Sequence, residues 1–394
     1  MRVVLFTGKG GVGKTTLAAA TAALSAANGR KTLVVSTDPA HSLADALAIE
    51  VGAEPTDVEG ALQAMQVDTQ RAFERSWREI QGYLLTLLDI AGVDPVEASE
   101  LTVLPGAEEV LALLAVRDAA RSGNYDLLCV DCAPTAETLR LLRLPEVLSW
   151  WLTRLYPGER RLVRSMRPLL GRVSRLPVPP DDVFEAIASL HAELADVRAL
   201  LTDPASASVR LVLTPEQVVL AEARRTLTAL SLHGYRVDGV LANRIFPAGS
   251  DPWRGSWAAA QARQLEQIRT SFGPLPLWQV PYGAAEPVGL AALTELGRAA
   301  YADDDVAALP SGRAPLTVGR TTDGFSLNLA LPFATRGELD LARHGDELVV
   351  TVGAQRRLLT LPSALRRCKV EGARLVGGDL VVRFVPDPEL WMRP

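Results

Sequence analysis

The stretch that most restricts this chain is residues 3–29, where an apolar run, "VVLF", passes through "TGKGGVGKT" into the alanine-rich "TLAAATAALSAANG". The apolar run reads as a buried strand ending in a turn, and the last stretch as a helix closed by Gly29. Gly8, four residues, then Gly13-Lys14-Thr15 is the spacing at which a glycine-rich turn cradles phosphate oxygens in its backbone N–H groups. The dipole of the following helix adds to the attraction. The motif assigns Gly8, Gly10, Gly11, Val12, Gly13, Lys14, Thr15 and Thr16 to a nucleotide. Lys14 is expected on the β- and γ-phosphates, the Thr15 hydroxyl on Mg2+ and Thr16 on the α-phosphate, so ATP with Mg2+ is the expected ligand.

Such a loop needs a strand–helix scaffold, and the chain continues in that manner. The runs "TLVVS", "LLCVD", "VRLVLT" and "VDGVLAN" alternate with helical stretches as far as "GLAALTELGRAAYA". The alternation predicts an α/β fold with a doubly wound, mostly parallel sheet. A chain of 394 residues is also too long for one core, which stops growing near ~250–300 residues. We therefore expect a nucleotide-binding domain over 1–301, a linker over 302–314, a small antiparallel all-β sandwich over 315–386 and a tail over 387–394.

Within the first domain, residues 144–200 read as a helical insertion. Leu144, Leu148, Trp151, Leu152 and Leu155, then Leu162, Met166, Leu169 and Leu170, form apolar stripes interleaved with Arg160, Arg161, Arg164 and Arg167. Two readings fit: the walls of a groove for a hydrophobic polypeptide segment, or internal core under a solvated arginine face.

A net charge of −5 and a pI near 5.6 point away from a nucleic-acid partner. No uncharged apolar run reaches the ~18 residues of a membrane span, and Met1 leads directly into the first strand with no leader-like segment, so a cytoplasmic location is expected. Three cysteines make no disulfide framework. Cys129 and Cys132 imitate a metal pair, but in an extended strand positions three apart face opposite ways, which favours a structural role.

Side chains at strand ends supply the remaining chemistry. Asp38 follows the second strand, where a carboxylate can orient a water in line with the γ-phosphate. Asp131 ends the "LLCVD" strand and is expected to hold Mg2+ directly or through water. Asn243 offers an amide donor and acceptor suited to the N6 and N7 edge of adenine, with Pro281 packed nearby. His41 reads as a hydrogen-bonding loop residue rather than a metal ligand.

"KGGVGKT" resembles the deviant Walker A loop of a group of dimeric ATPases, and other stretches narrow the group. "STDPAHSLADAL" at 36–47 is similar to the switch I loop, and "VDCAPTAETLRLL" at 130–142 to the switch II loop, of ArsA-type and tail-anchored-protein targeting ATPases. "LPGAEEVLALL", "LANRIFP" and "VPYGAAEPVGLAAL" also resemble segments of that family, so the likeness covers residues 1–300. It implies a homodimer in which Lys9 reaches the partner's nucleotide, giving catalytic roles to Lys9, Lys14 and Asp38. It further implies a client or ligand: a hydrophobic protein segment or membrane-protein partner, with the motor of an arsenite or antimonite pump, or a nucleotide-gated scaffold, as alternatives.

There are departures from the family pattern. Ala136-Glu137 stand where the family carries Gly-His, and no separate CxxC pair exists to join two subunits through zinc. Residues 315–386, with "DGFSLNLALPF", "GELDLARHGDELVVTVG" and "GDLVVRF", resemble the α-crystallin fold of small heat-shock proteins. With "LWMRP" after a β domain and no amphipathic stretch there, a membrane-positioning role is not expected.

Overall fold

A computed structural model describes residues 1–38, 42–67, 85, 107–132, 181–247, 249, 251–309 and 314–391. His41, the stretch 133–142 and residues 144–180 of the insertion expected at 144–200 lie outside the described residues. The first eight strands are β1 (Arg2–Thr7), β2 (Thr32–Ser36), β3 (Thr56–Glu59), β4 (Leu62–Gln66), β5 (Leu127–Asp131), β6 (Ala207–Leu213), β7 (Val237–Ile245) and β8 (Leu277–Pro281). They form one sheet in the order β3-β4-β2-β5-β1-β6-β7-β8, parallel except for the edge pair β3–β4. Every residue of β1, β2, β5 and β6 is buried, which is why these strands read as continuous apolar runs rather than alternating ones.

The chain lays β2, β4 and β5 on one side of β1 and β6, β7 and β8 on the other. The winding thus changes direction at β1, and open α/β sheets take ligands in the crevice outside the carboxyl ends of strands at that point. Register aligns the ends that matter, since Phe6 of β1 and Ser36 of β2 both pair with Asp131 of β5.

Around the sheet lie α1 (Lys14–Ala27), α2 (Ser42–Leu47), α3 (Ala107–Arg121), α4 (Asp181–Thr202), α5 (Gln217–His233), α6 (Pro252–Phe272) and α7 (Leu290–Tyr301). The buried alanines of α1 let α7 pack closely, and a Cβ at Gly297 would overlap the Ala20 carbonyl. Tyr301 of α7 shares a 2.8 Å hydrogen bond with Thr21 and accepts one of 3.0 Å from Arg210. Arg210, 2% exposed, is paired to Asp238 at 2.7 Å and stacks on Trp278 at 4.7 Å. Arg2 joins the same carboxylate at 3.2 Å, so two buried guanidinium groups share the Asp238 charge, the pairing that burial of ions requires. Just beyond α7, Asp304 accepts from Trp278 Nε1 at 2.8 Å and Asp305 pairs with Arg30, laying the start of the expected linker against the large sheet.

The remaining strands, β9 (Leu316–Thr321), β10 (Gly324–Ala330), β11 (Leu339–His344), β12 (Glu347–Val352), β13 (Gln355–Thr360), β14 (Cys368–Val376) and β15 (Asp379–Pro386), pair antiparallel. They make two sheets, β14-β15-β10-β9 and β11-β12-β13. Alternate residues Leu327 and Leu329, Leu348 and Val350, and Leu380, Val382 and Phe384 point into one core, which also takes in Leu232 from α5. The fold is thus a large, mostly parallel α/β unit followed by small antiparallel all-β sheets.

Candidate nucleotide site

The turn from β1 into α1 is shaped by close approach and by backbone sign. Gly8 lies so near β6 that a Cβ would overlap the Val212 carbonyl, while Gly11 and Gly13 have φ of +80° and +92°, the left-handed region that glycine enters at little cost. Gly10 and Gly11 are exposed, Val12 is buried, and Thr15 and Thr16 are partly buried at the start of α1. Lys14 is 7% exposed, with Nζ 3.5 Å from the carbonyl of Lys9. Lys9 is itself half-buried on the rim of the turn.

Two carboxylates meet this turn from neighbouring strands. Asp131 is fully buried, and one oxygen accepts from the Ser36 hydroxyl at 3.2 Å. Its other oxygen, Oδ1, is enclosed without a well-formed hydrogen bond. Burial pushes the acid up to about 6; the neighbouring Thr15 hydroxyl, the Lys14 ammonium and Ser36 oppose this, and the charge of Asp38 adds to it. Thr15 Oγ1 lies 3.1 Å from Ser42 Oγ at the start of α2. A buried carboxylate oxygen lacking a partner, among hydroxyls, is a hard oxygen donor set that fits Mg2+.

Asp38 stands just past β2, half-buried, where its N–H donates to Ser36 Oγ at 3.3 Å and its carbonyl accepts from Gln66 Nε2 at 2.7 Å. Thr37 N–H donates to the Asp131 carbonyl at 2.9 Å, which ties the ends of β2 and β5 together. Lys14, Thr15, Asp38 and Asp131 therefore meet at one crevice. Sequence reasoning left Ser36, Ser42 and Gln66 without roles. The two serines lie inside the stretch resembling switch I, whereas Gln66 is a polar residue closing a short strand and carried no signal of its own.

On the other side of β1, Asn243 near the end of β7 is 9% exposed. Its Nδ2 donates to the Val12 carbonyl at 2.8 Å and its Oδ1 accepts from Arg244 N–H at 2.8 Å. Pro281, exposed at the end of β8, pairs in register with Ile245. Beyond it an aromatic cluster gathers around Phe246, whose ring lies 5.3 Å from Tyr282, 5.9 Å from Trp257 and 6.3 Å from Trp253. Cys129, within β5, and Cys132, just past Asp131, are buried free thiols, and among the described residues no cluster of His, Cys, Asp or Glu is placed to hold a metal.

A glycine-rich turn at the switch point of a doubly wound sheet, faced by carboxylates from the adjoining strands, defines the chain as a P-loop nucleotide-hydrolysing protein. Residues 1–302 match the family model of the anion-transporting ATPases, and residues 322–384 match that of the HSP20-like domain found in ArsA. The chain belongs to the ArsA family of ATPases, and it is an ATP hydrolase.

Relatives align over most of its length. A protein of Chlorobaculum tepidum named as a candidate arsenical pump-driving ATPase is 38% identical over 93% of this chain and 91% of its own. An uncharacterised protein of Streptomyces coelicolor is 40% identical over 100% of both. An ATPase named as an ASNA1 homologue in Paramecium tetraurelia is 27% identical over 66% of this chain and 80% of its own. No helix among the described residues is long and apolar enough to cross a membrane.

Proposed function

We propose that the chain is a homodimeric, Mg2+-dependent ATP switch whose cycle of closure and opening takes up and releases a hydrophobic protein segment. The observation that carries this reading is the convergence of Lys14, Thr15, Asp38 and Asp131 on one crevice with a second lysine, Lys9, on its rim. In this reading the backbone from Gly8 to Gly13 cradles the phosphates, with Lys14 on the β- and γ-oxygens and Thr16 near the α-phosphate. Thr15 and Asp131 hold Mg2+, which supplies charge neutralisation at the phosphate oxygens when bound. Asp38 accepts a hydrogen bond from the attacking water and aims it at the γ-phosphorus. Asn243 and Pro281 border the adenine.

Lys9 is assigned to the partner's nucleotide, where a cation delivered across an interface acts as an arginine finger does, worth about 10³–10⁵-fold in kcat. Turnover then depends on the dimer, and the closure that completes the site is the motion available to release a bound segment. The first test is ATPase activity per subunit against protein concentration. A fall on dilution is expected, and a constant rate per subunit down to the monomer would overturn the dimeric switch.

The names of several relatives favour a second reading, the motor of an arsenical pump. The three cysteines are each buried, which gives a metalloid no exposed thiolate cluster to bind. Adding antimonite and, separately, a solubilised apolar helical peptide to the ATPase assay separates the readings: stimulation by the peptide alone supports the first, and by antimonite alone the second. A response to neither leaves a nucleotide-gated scaffold acting on a folded partner.

A further inference from the structure

Behind the crest of the phosphate loop, a chain of three amide contacts runs from α6 to Val12. Gln261, on α6, is 7% exposed, and both ends of its side chain are used. Nε2 donates to the Arg244 carbonyl at 2.9 Å, and Oε1 accepts from Phe246 N–H at 2.8 Å. The segment so held is unusual, because Arg244 has φ of +59°, a left-handed conformation that a residue with a Cβ adopts only when its surroundings impose it. That turn lets Arg244 N–H reach back to Asn243 Oδ1 at 2.8 Å, which fixes the plane of the Asn243 amide and points Nδ2 at the Val12 carbonyl. Val12 sits between the two left-handed glycines of the loop, and a Cβ on Gly13 would overlap the Asn243 amide nitrogen.

We propose that Gln261 and Asn243 are positioning residues for ATP hydrolysis: together they strap the carbonyl at the crest of the phosphate loop from behind, so that its N–H groups face the phosphates. The strap acts on the phosphate cradle and not on the base. Asn243 keeps one N–H and one lone pair beyond these contacts, so the strap is compatible with a border to adenine while being a separate function. The inference rests on the loop binding phosphate, as proposed above, and is indifferent to whether the protein dimerises or what it carries.

The roles separate when a ligand without a base is used. Binding of Mg-ADP, Mg-GDP and Mg-pyrophosphate to the full chain is measured by calorimetry for the wild type, Asn243→Ala and Gln261→Leu. A strap predicts that Gln261→Leu weakens all three ligands by a common factor of about five- to tenfold, and that Asn243→Ala weakens pyrophosphate and Mg-GDP by the same factor, with any extra loss for Mg-ADP measuring a separate base contact. Loss of ADP affinity with pyrophosphate unchanged would make Asn243 a base contact alone and overturn the proposal, as would unchanged binding of every ligand.

Gln261→Glu is the conservative control, since it keeps the acceptor for Phe246 N–H but sets a carboxylate oxygen against the Arg244 carbonyl. It should fall with Gln261→Leu, and wild-type pyrophosphate affinity in this variant would overturn the strap. Should Gln261→Leu fail to fold, Asn243→Asp, which keeps the acceptor for Arg244 N–H but sets a carboxylate oxygen against the Val12 carbonyl, must show the loss of pyrophosphate affinity by itself. Retention of pyrophosphate affinity in that variant would overturn the strap. Failure of the phosphate-loop reading is distinct, for Lys14→Ala would then bind pyrophosphate like the wild type.

Discussion

The guanidinium of Arg357, on β13 of the small domain, donates to the carbonyl of Leu232 in the last turn of α5 of the large one. Arg357 is 5% exposed and lies against Gly234, where α5 ends at φ of +87° and offers its last carbonyls to a cation. Close by, Thr228 donates to the Pro332 carbonyl, and Phe333 packs on Phe272 with ring centres 6.0 Å apart. With Leu232 inside the small domain's core, α5 belongs to both units.

A shared helix implies shared unfolding. The wild type is expected to melt in one cooperative transition, and Arg357→Met to lose about 2–3 kcal/mol, the cost of removing a charged donor from a buried carbonyl. Denaturant unfolding followed by circular dichroism checks this. Two well-separated transitions in the wild type would mean that the small domain is only tethered.

Nucleotide binding should fail for two different physical reasons at two positions. Gly8→Ala places a methyl against the Val212 carbonyl and lifts the loop from β6, so Mg-ADP binding is expected to disappear although the fold persists. Lys14→Ala leaves the loop intact and removes the cation, so kcat should fall by about 10²–10³-fold or more. Steady-state ATPase and calorimetry with Mg-ADP distinguish the two, and wild-type turnover by the lysine variant would remove Lys14 from the site.

How far the sequence revealed this arrangement depended on burial. Strands β1, β2, β5, β6 and β7 were readable because a strand covered on both faces must be apolar throughout. The edge pair was not: "TDVE" of β3 is polar and half-exposed, and "LQAMQ" of β4 carries two glutamines. Strand β8, "LWQVP", closes the opposite edge with one buried residue and ends at a proline. The same logic governs the site. Lys14 and Thr15 open the helix after the glycine-rich turn, and Asp38 and Asp131 stand at strand ends, positions that motif spacing marks, whereas Gln261 sits in a long helix of mostly exposed residues. One signal pointed to it: it continues the stripe Leu265, Ile268 and Phe272, so a glutamine occupies a position the helix buries.

The cysteines test the metalloid reading through their accessibility. Cys129, Cys132 and Cys368 are 0%, 3% and 1% exposed, and burial raises all three thiols, Cys129 to about 12. The thiolate is the species that reacts with disulfide reagents and arsenicals, and a raised pKa moves its formation to more alkaline solution. At pH 8 the native protein should therefore expose no reactive thiol to Ellman's reagent and release three equivalents after denaturation. Rapid native reaction of two thiols, quenched by antimonite, would revive the pump-motor assignment.

The assignment of Lys9 to a neighbour is decided by mixing two inactive proteins. In a dimer of one Lys9→Ala subunit and one Asp38→Asn subunit, trans action gives the first subunit's nucleotide its own Asp38 and the partner's intact lysine, while the other site loses both. One site in each mixed dimer then works. Random exchange of equal amounts makes half the dimers mixed, so about a quarter of wild-type activity should return although each parent is inactive. Action in cis leaves each site of the mixed dimer with one defect, and no activity returns. Titrating one parent into a fixed amount of the other sharpens the comparison, because recovered activity should rise with the mixed-dimer fraction and then saturate, whereas the cis arrangement predicts a flat baseline at every ratio.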